Sequence, residues 1–186
     1  MLPIYVVNNY GQFNHLIHRA LRDLDIDVAL ISNTTPAAEV GENCRGIILG
    51  GGPAIERAGN CEQYLDLGLP VLGICLGLHI IARKYGGIVT KGQSGGYGPV
   101  DVEICRDSAI LAGYPGKMNV WASHADEVSR MPDGFTLLAR SSICNHEAIA
   151  HPKKPIYGLQ WHPEVSHSYE GKRVFENFNR IITENP

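Results

Sequence analysis

The 186-residue chain is predicted to be an α/β protein, with an open, mostly parallel sheet flanked by helices and an antiparallel extension in its C-terminal half. Three observations predict this. Short apolar runs alternate with segments of helical period through residues 2–85, the pattern of right-handed β-α-β crossovers. Past Gly87 the rhythm changes to strand-like runs with short links, which read as hairpins. Between the two regimes, Gly73-Ile74-Cys75-Leu76-Gly77 joins a buried-type strand to a helix, with a glycine two residues to either side of a cysteine. That spacing is the G-x-nucleophile-x-G elbow, with sulfur in place of a serine hydroxyl.

The elements follow in order. Residues 2–7 are apolar and rich in β-branched side chains, and Asn8-Asn9-Tyr10-Gly11 is turn chemistry. Residues 12–24 show helical spacing through Phe13, Leu16, Ile17, Ala20 and Leu21. A second strand is expected at 26–31, and Thr35-Pro36 opens a short helix, proline being tolerated at the first helical position. Residues 46–49 form a third strand, followed by Gly50-Gly51-Gly52-Pro53. A short helix at 60–67 leads to the strand at 70–74, and the helix at 76–85 stops at Gly86-Gly87. Strands are then expected at 88–91, 100–104, 118–121, 135–139, 148–151 and 156–161, before a closing helix at 169–182.

Composition narrows the function. The length fits a single domain spanning 1–186, and the formal net charge of −3 gives no sign of a nucleic-acid or membrane partner. No apolar run is long enough to span a bilayer, and no basic-then-apolar signal opens at Met1. The five cysteines (Cys44, Cys61, Cys75, Cys105, Cys144) are scattered without a C-x-x-C pair, against a disulfide framework or a zinc site and for a reducing cytoplasm.

Cys75 has two readings, a buried structural cysteine or a nucleophile. At the first turn of a helix its thiol faces unpaired N–H groups and the positive end of the macrodipole, and both favour thiolate. A thiolate acting on an amide needs an acid-base partner and donors for the oxyanion, and open α/β sheets gather such groups at the carboxyl ends of strands. Gly50-Gly51-Gly52-Pro53 is either a plain turn or a source of side-chain-free N–H donors. Gln160-Trp161-His162-Pro163-Glu164 presents a histidine and a carboxylate two residues apart. On extended backbone these point to the same side, so Glu164 can orient the His162 imidazole. Of the eight histidines, His15 and His18 suit a solvated helix face, while His146, His151 and His167 lack ligand spacing. Ser123-His124-Ala125-Asp126 is a polar cluster after an apolar strand, either a loop turn or part of a substrate site.

In combination, Gly51-Gly52-Pro53, Gly73-Ile74-Cys75-Leu76-Gly77 and Gln160-Trp161-His162-Pro163-Glu164 resemble the class I glutamine amidotransferases, over essentially the whole chain. The resemblance implies an open seven-stranded α/β sheet that hydrolyses L-glutamine and delivers ammonia to a synthetase. It implies Cys75 as nucleophile, His162 as base and acid, Glu164 as orienting carboxylate, and the N–H groups of Gly52 and Leu76 as oxyanion donors. Within the family, Trp121-Ala122-Ser123-His124-Ala125-Asp126, Gly96-Tyr97-Gly98 and Val165 resemble the GMP synthase branch. No Ser-Gly-Gly-Val-Asp-Ser pyrophosphatase loop occurs, which resembles the amidotransferase subunits of two-subunit enzymes. The implied partner is an ATP-pyrophosphatase (synthetase) subunit, which would use ATP and magnesium, with no metal or cofactor in this chain. The other readings are an amidotransferase for anthranilate or carbamoyl phosphate synthesis, and a catalytically silent regulatory module. Ser123, His124, Ala125 and Asp126 would face the substrate. Two positions depart from the family pattern. His79 stands where a glutamine usually helps hold the substrate, and Ala125 where glycine is common.

Overall fold

The computed structural model describes residues 1–184, with backbone alone for 93–95. Its first half alternates strands and helices: β1 Ile4–Asn8, α1 Asn14–Arg22, β2 Val28–Ser32, α2 Ala37–Asn43, β3 Gly46–Leu49, α3 Cys61–Tyr64, β4 Val71–Ile74 and α4 Leu76–Lys84. The second half runs β5 Ile88–Ile104, β6 Lys117–Arg130, β7 Thr136–Ser141, β8 Ala148–Ala150, β9 Ile156–Leu159 and α5 Lys172–Glu184. Short 3₁₀ turns at Ile55–Arg57 and Ala109–Leu111 carry no periodic signal in the sequence.

Among the described residues the strands form one sheet in the order β2-β1-β3-β4-β9-β8-β7-β5-β6. The pairs from β2 through β9 are parallel, and those from β9 to β6 are antiparallel. This is the expected mixed architecture, with nine strands rather than seven. The stretches expected at 88–91 and 100–104 are one strand, and the stretch at 118–121 extends to Arg130. Paired with each other, β5 and β6 satisfy their own backbone groups well beyond the apolar cores that mark them in sequence.

Alternation along the central strands sends side chains to two cores. Ile4, Val6, Ile48, Leu72 and Ile74 pack with α1 and α5 on one face. Val7, Ile47, Leu49 and Val71 pack with α2, α3 and α4 on the other. The amphipathic helices supply matching stripes, Ile17, Ala20 and Leu21 from α1 and Val174, Phe175, Phe178, Ile181 and Ile182 from α5. By contrast, α4 is buried continuously from Leu76 to Ala82, so the helix that follows the elbow is held in the interior. No helix among the described residues is long and apolar enough to cross a membrane.

Candidate active site

Cys75 joins β4 to α4 with φ 54° and ψ −104°, a conformation that a side-chain-bearing residue keeps only when its surroundings impose it. They do so from both ends. The Cys75 N–H donates to the Leu159 carbonyl of β9 at 2.8 Å, and the Cys75 carbonyl accepts from the His79 N–H at 3.2 Å. The flanking glycines are needed for close approach: a Cβ on Gly73 would lie 2.4 Å from the Gly77 carbonyl carbon, and one on Gly77 2.2 Å from the Leu49 oxygen. The Cys75 side chain is turned toward β6, its Sγ 3.7 Å from the Ser123 carbonyl oxygen.

His162 lies beyond the end of β9 on a turn strapped to β6. Its N–H donates to the Trp121 carbonyl at 2.9 Å. The Trp121 N–H donates to Ser168 Oγ at 2.9 Å, and that hydroxyl donates to the His162 carbonyl at 2.6 Å. The ring is then fixed by the Glu164 carboxylate, whose Oε1 is 2.7 Å from Nδ1, and by the edge of Phe13 at 5.0 Å between centroids. Nδ1 therefore carries a proton, which leaves the other ring nitrogen to face the cavity that Cys75 also lines. Burial pulls the His162 pKa down, but the Glu164 charge, the neighbouring Cys75 and the hydrogen bond to Glu164 outweigh it and raise it to about 10. The Glu164–His162 contact is the expected one, made for a different reason. Residues 162–164 are not extended, and a turn closed by the Val165 N–H on the His162 carbonyl brings the two side chains together.

The Ser123–Asp126 segment is corrected more substantially. It lies within β6, where His124 is opposite Gly96 and Ser123 opposite Tyr97 of β5. Its serine and aspartate resemble turn chemistry, but pairing with β5 overrides that local preference. His124 is 5% exposed, and its Nδ1–H donates to the Asp126 carbonyl at 2.9 Å. Burial, opposed by that hydrogen bond and reinforced by His79 and His162, pushes its pKa down to about 4. Ala125 and Asp126 are exposed.

These residues meet around a cavity of about 330 Å³, lined by Gly52, Cys75, Leu76, His79 and His162 and by Ser123 through Asp126. The volume is at the small end of the roughly 300–1,000 Å³ usual for ligand sites. His79 reaches the cavity, but its Nε2 is held at 2.8 Å by Gln160 Oε1. Tyr10 through Asn14 and Tyr97 also line it, and sequence reasoning missed them. For the first group a signal existed. A polar turn at the carboxyl end of a strand destined to lie beside the triple-glycine strand is at the ligand edge of an open sheet. Among the described residues no group of three or more His, Cys, Asp or Glu side chains is arranged to hold a metal ion.

The family model described as glutamine amidotransferase class-I matches residues 5–181. The chain is 71% identical over 184 residues to a glutamine-hydrolyzing GMP synthase subunit of Methanoregula boonei, covering 99% of this chain and 100% of that protein. It is 51% identical over 181 residues to the protein of the same name from Archaeoglobus fulgidus, covering 97% of this chain and 98% of that one. Among solved structures, a candidate GMP synthase subunit from Thermoplasma acidophilum is 37% identical and superposes with a TM-score of 0.94, over 100% of this chain and 96% of that one. A glutamine amidotransferase from Thermotoga maritima, 20% identical, shares the fold with a TM-score of 0.75 over 99% of this chain and 85% of that one.

Proposed function

Because this chain belongs to the class-I glutamine amidotransferases, we propose that it is the glutamine-hydrolysing subunit of a two-subunit GMP synthase. The observation that carries the chemistry is Cys75, held at positive φ at the wall of a cavity it shares with an imidazole that Glu164 orients.

The Cys75 thiolate attacks the side-chain amide carbon of glutamine. Charge collects on the former carbonyl oxygen, where the N–H groups of Gly52 and Leu76 receive it, each worth up to about 3–4 kcal/mol in comparable sites. Leu76 opens α4, so its N–H has no carbonyl four residues back within the helix. Imidazolium at His162 protonates the departing ammonia, leaving a γ-glutamyl thioester and a neutral ring. The same nitrogen then takes a proton from water as it attacks the thioester. Glutamate leaves, and the sum is glutamine plus water giving glutamate plus ammonia. Ser123 through Asp126 and His79, which line the same cavity, are assigned to the amino-acid end of the substrate.

The partner is the ATP-pyrophosphatase (synthetase) subunit, which uses ATP and magnesium to adenylate xanthosine 5′-phosphate for ammonia to displace. Ammonia released into bulk water at neutral pH becomes ammonium and ceases to be a nucleophile, so the two subunits meet at an interface that shields it. The five free cysteines fit a cytoplasmic setting.

The test is affinity capture from native cells, followed by glutamate release and XMP-to-GMP conversion assays on the captured complex. A glutamine-mimicking chloroketone should label Cys75, as read by mass spectrometry. Capture of an anthranilate or carbamoyl phosphate synthetase would redirect the ammonia to that acceptor. Failure to label would leave only a silent binding module.

A further inference from the structure

The turn after β3 consists of three successive glycines, Gly50, Gly51 and Gly52, whose backbone has more freedom than any other sequence would allow. Something else must hold its peptides in place. The Gly51 carbonyl oxygen accepts two hydrogen bonds, from the Gly11 N–H at 3.1 Å and from Asn14 Nδ2 at 3.1 Å. Asn14 Nδ2 also donates to Asn8 Oδ1 at 3.0 Å, an oxygen that the Tyr10 N–H holds at 2.9 Å.

These partners fix which way round the Asn14 amide lies. Both neighbours of Nδ2 are oxygens, so a rotated amide would set Oδ1 against two acceptors. Oδ1 itself lies over Gly50, where a Cβ would come within 2.2 Å, and has no hydrogen-bond partner among the described residues. Asn14 is 3% exposed. This buried amide leaves its own oxygen unpaired while its nitrogen bridges the Gly51 carbonyl and Asn8 Oδ1, an arrangement that packing alone does not require.

The geometry of the peptide supplies an explanation. In a trans peptide the N–H is antiparallel to the preceding C=O, and no described peptide is cis. With the Gly51 carbonyl drawn toward Gly11 and Asn14, the Gly52 N–H is turned the opposite way. Gly52 is also seated against the elbow, since a Cβ there would lie 2.7 Å from Leu76 Cδ2.

We infer that Asn14 is a positioning residue for the oxyanion site: by clamping the Gly51 carbonyl it aims the Gly52 N–H at the oxygen that gains charge above Cys75. The inference rests on Gly52 serving as an oxyanion donor in the function proposed above.

The test compares wild type with Asn14→Asp, which puts an oxygen in place of the donor nitrogen, and Asn14→Ala, which removes the donor without adding charge. The chain is assayed with its captured partner subunit for glutamate release. Three readouts are taken: kcat and KM for glutamine, the rate of Cys75 alkylation by iodoacetamide, and the affinity for glutamate γ-semialdehyde, which forms a tetrahedral adduct on the thiol. The expected result is a fall in kcat of about 100-fold, with KM within about threefold and alkylation within about twofold of wild type. Affinity for the aldehyde should fall with kcat, because only the tetrahedral species carries the oxyanion. A kcat within threefold of wild type in both variants overturns the inference, as does a parallel loss of alkylation. Failure of both variants to fold also overturns it, by making Asn14 a residue of the fold. If the wild-type complex releases no glutamate, the proposed function itself fails, whatever Asn14 does.

Discussion

His79 and Gln160 share a buried hydrogen bond, with His79 Nε2 2.8 Å from Gln160 Oε1. The carbonyl oxygen can only accept, so the histidine is the Nε2–H tautomer, and its other nitrogen is an acceptor. Burial lowers its pKa, against the opposing pull of Gln160 and Asp126, so the ring is neutral in the folded chain. One ring nitrogen is thus committed to the protein.

A carboxamide at position 79 can keep that bond and still offer a second N–H to the cavity. His79→Gln should therefore leave the KM for glutamine equal or lower, with kcat within about threefold. His79→Ala leaves Gln160 Oε1 buried without a donor and should cost about 1–3 kcal/mol of stability, read from the urea midpoint. Loss of turnover in His79→Gln would make His79 part of the reacting machinery.

Cys75→Ala should abolish glutamine hydrolysis, while synthesis from added ammonium salts persists in the assembled complex. His162→Ala should be nearly as severe, since a positioned acid-base group contributes about 10²–10⁴-fold. Glu164→Ala should be milder, because Glu164 orients the ring and does not react. Measured on the complex, substantial glutaminase activity in Cys75→Ala would remove the cysteine as nucleophile.

The charge on Glu164 can be tested apart from its geometry. Burial alone would hold His162 below its ordinary value, and Glu164 leads the influences that raise it to about 10. Glu164→Gln should bring the His162 titration, followed by NMR of its ring protons, down from about 10 toward the ordinary 6.5. The linkage has a definite sign. A histidine raised in the folded state contributes stability that is complete below pH 6.5 and lost as pH rises through about 10. The variant should therefore show a smaller alkaline loss of stability between those values.

His124 has the opposite sign. Its pKa of about 4, against 6.5 unfolded, means the unfolded chain binds the extra proton first as pH falls. Stability from this group is intact above pH 6.5 and lost progressively toward pH 4, by roughly 2–4 kcal/mol in all. His124→Gln cannot titrate, so its denaturation midpoints should fall less steeply over that window. An unchanged slope would mean that His124 is protonated as readily folded as unfolded.

Gly96 explains why His124 can lie where it does. A Cβ at Gly96 would fall 2.3 Å from His124 Nε2 and 2.8 Å from Cδ2, so the ring occupies the space a side chain would take. Gly96→Ala should displace the ring at a cost of about 1–3 kcal/mol. It should also raise the KM for glutamine, because His124 lines the cavity. Wild-type stability and KM in Gly96→Ala would show that the strands adjust without moving the ring.

The features that depend on local pattern were legible in the sequence. Alternating apolar runs and helical periods located β1 through α4, because strand and helix bury different repeats of the same residues. The elbow was readable because Gly73 and Gly77 are required by contacts within a few residues and with the adjacent strand. Other features arose only in the folded chain, for a physical reason: long-range pairing outweighs local preference. The Ser123–Asp126 segment has turn residues, yet β5 supplies hydrogen-bond partners for its backbone and makes it a strand. Glu164 meets His162 through a turn that is strapped to Trp121 by Ser168, a contact between residues 47 positions apart. The grip of Gly11 and Asn14 on Gly51 likewise joins the first turn and the start of α1 to the turn after β3, with Asn14 and Gly51 37 positions apart. No periodicity records such contacts, because they exist only once the strands have been placed side by side.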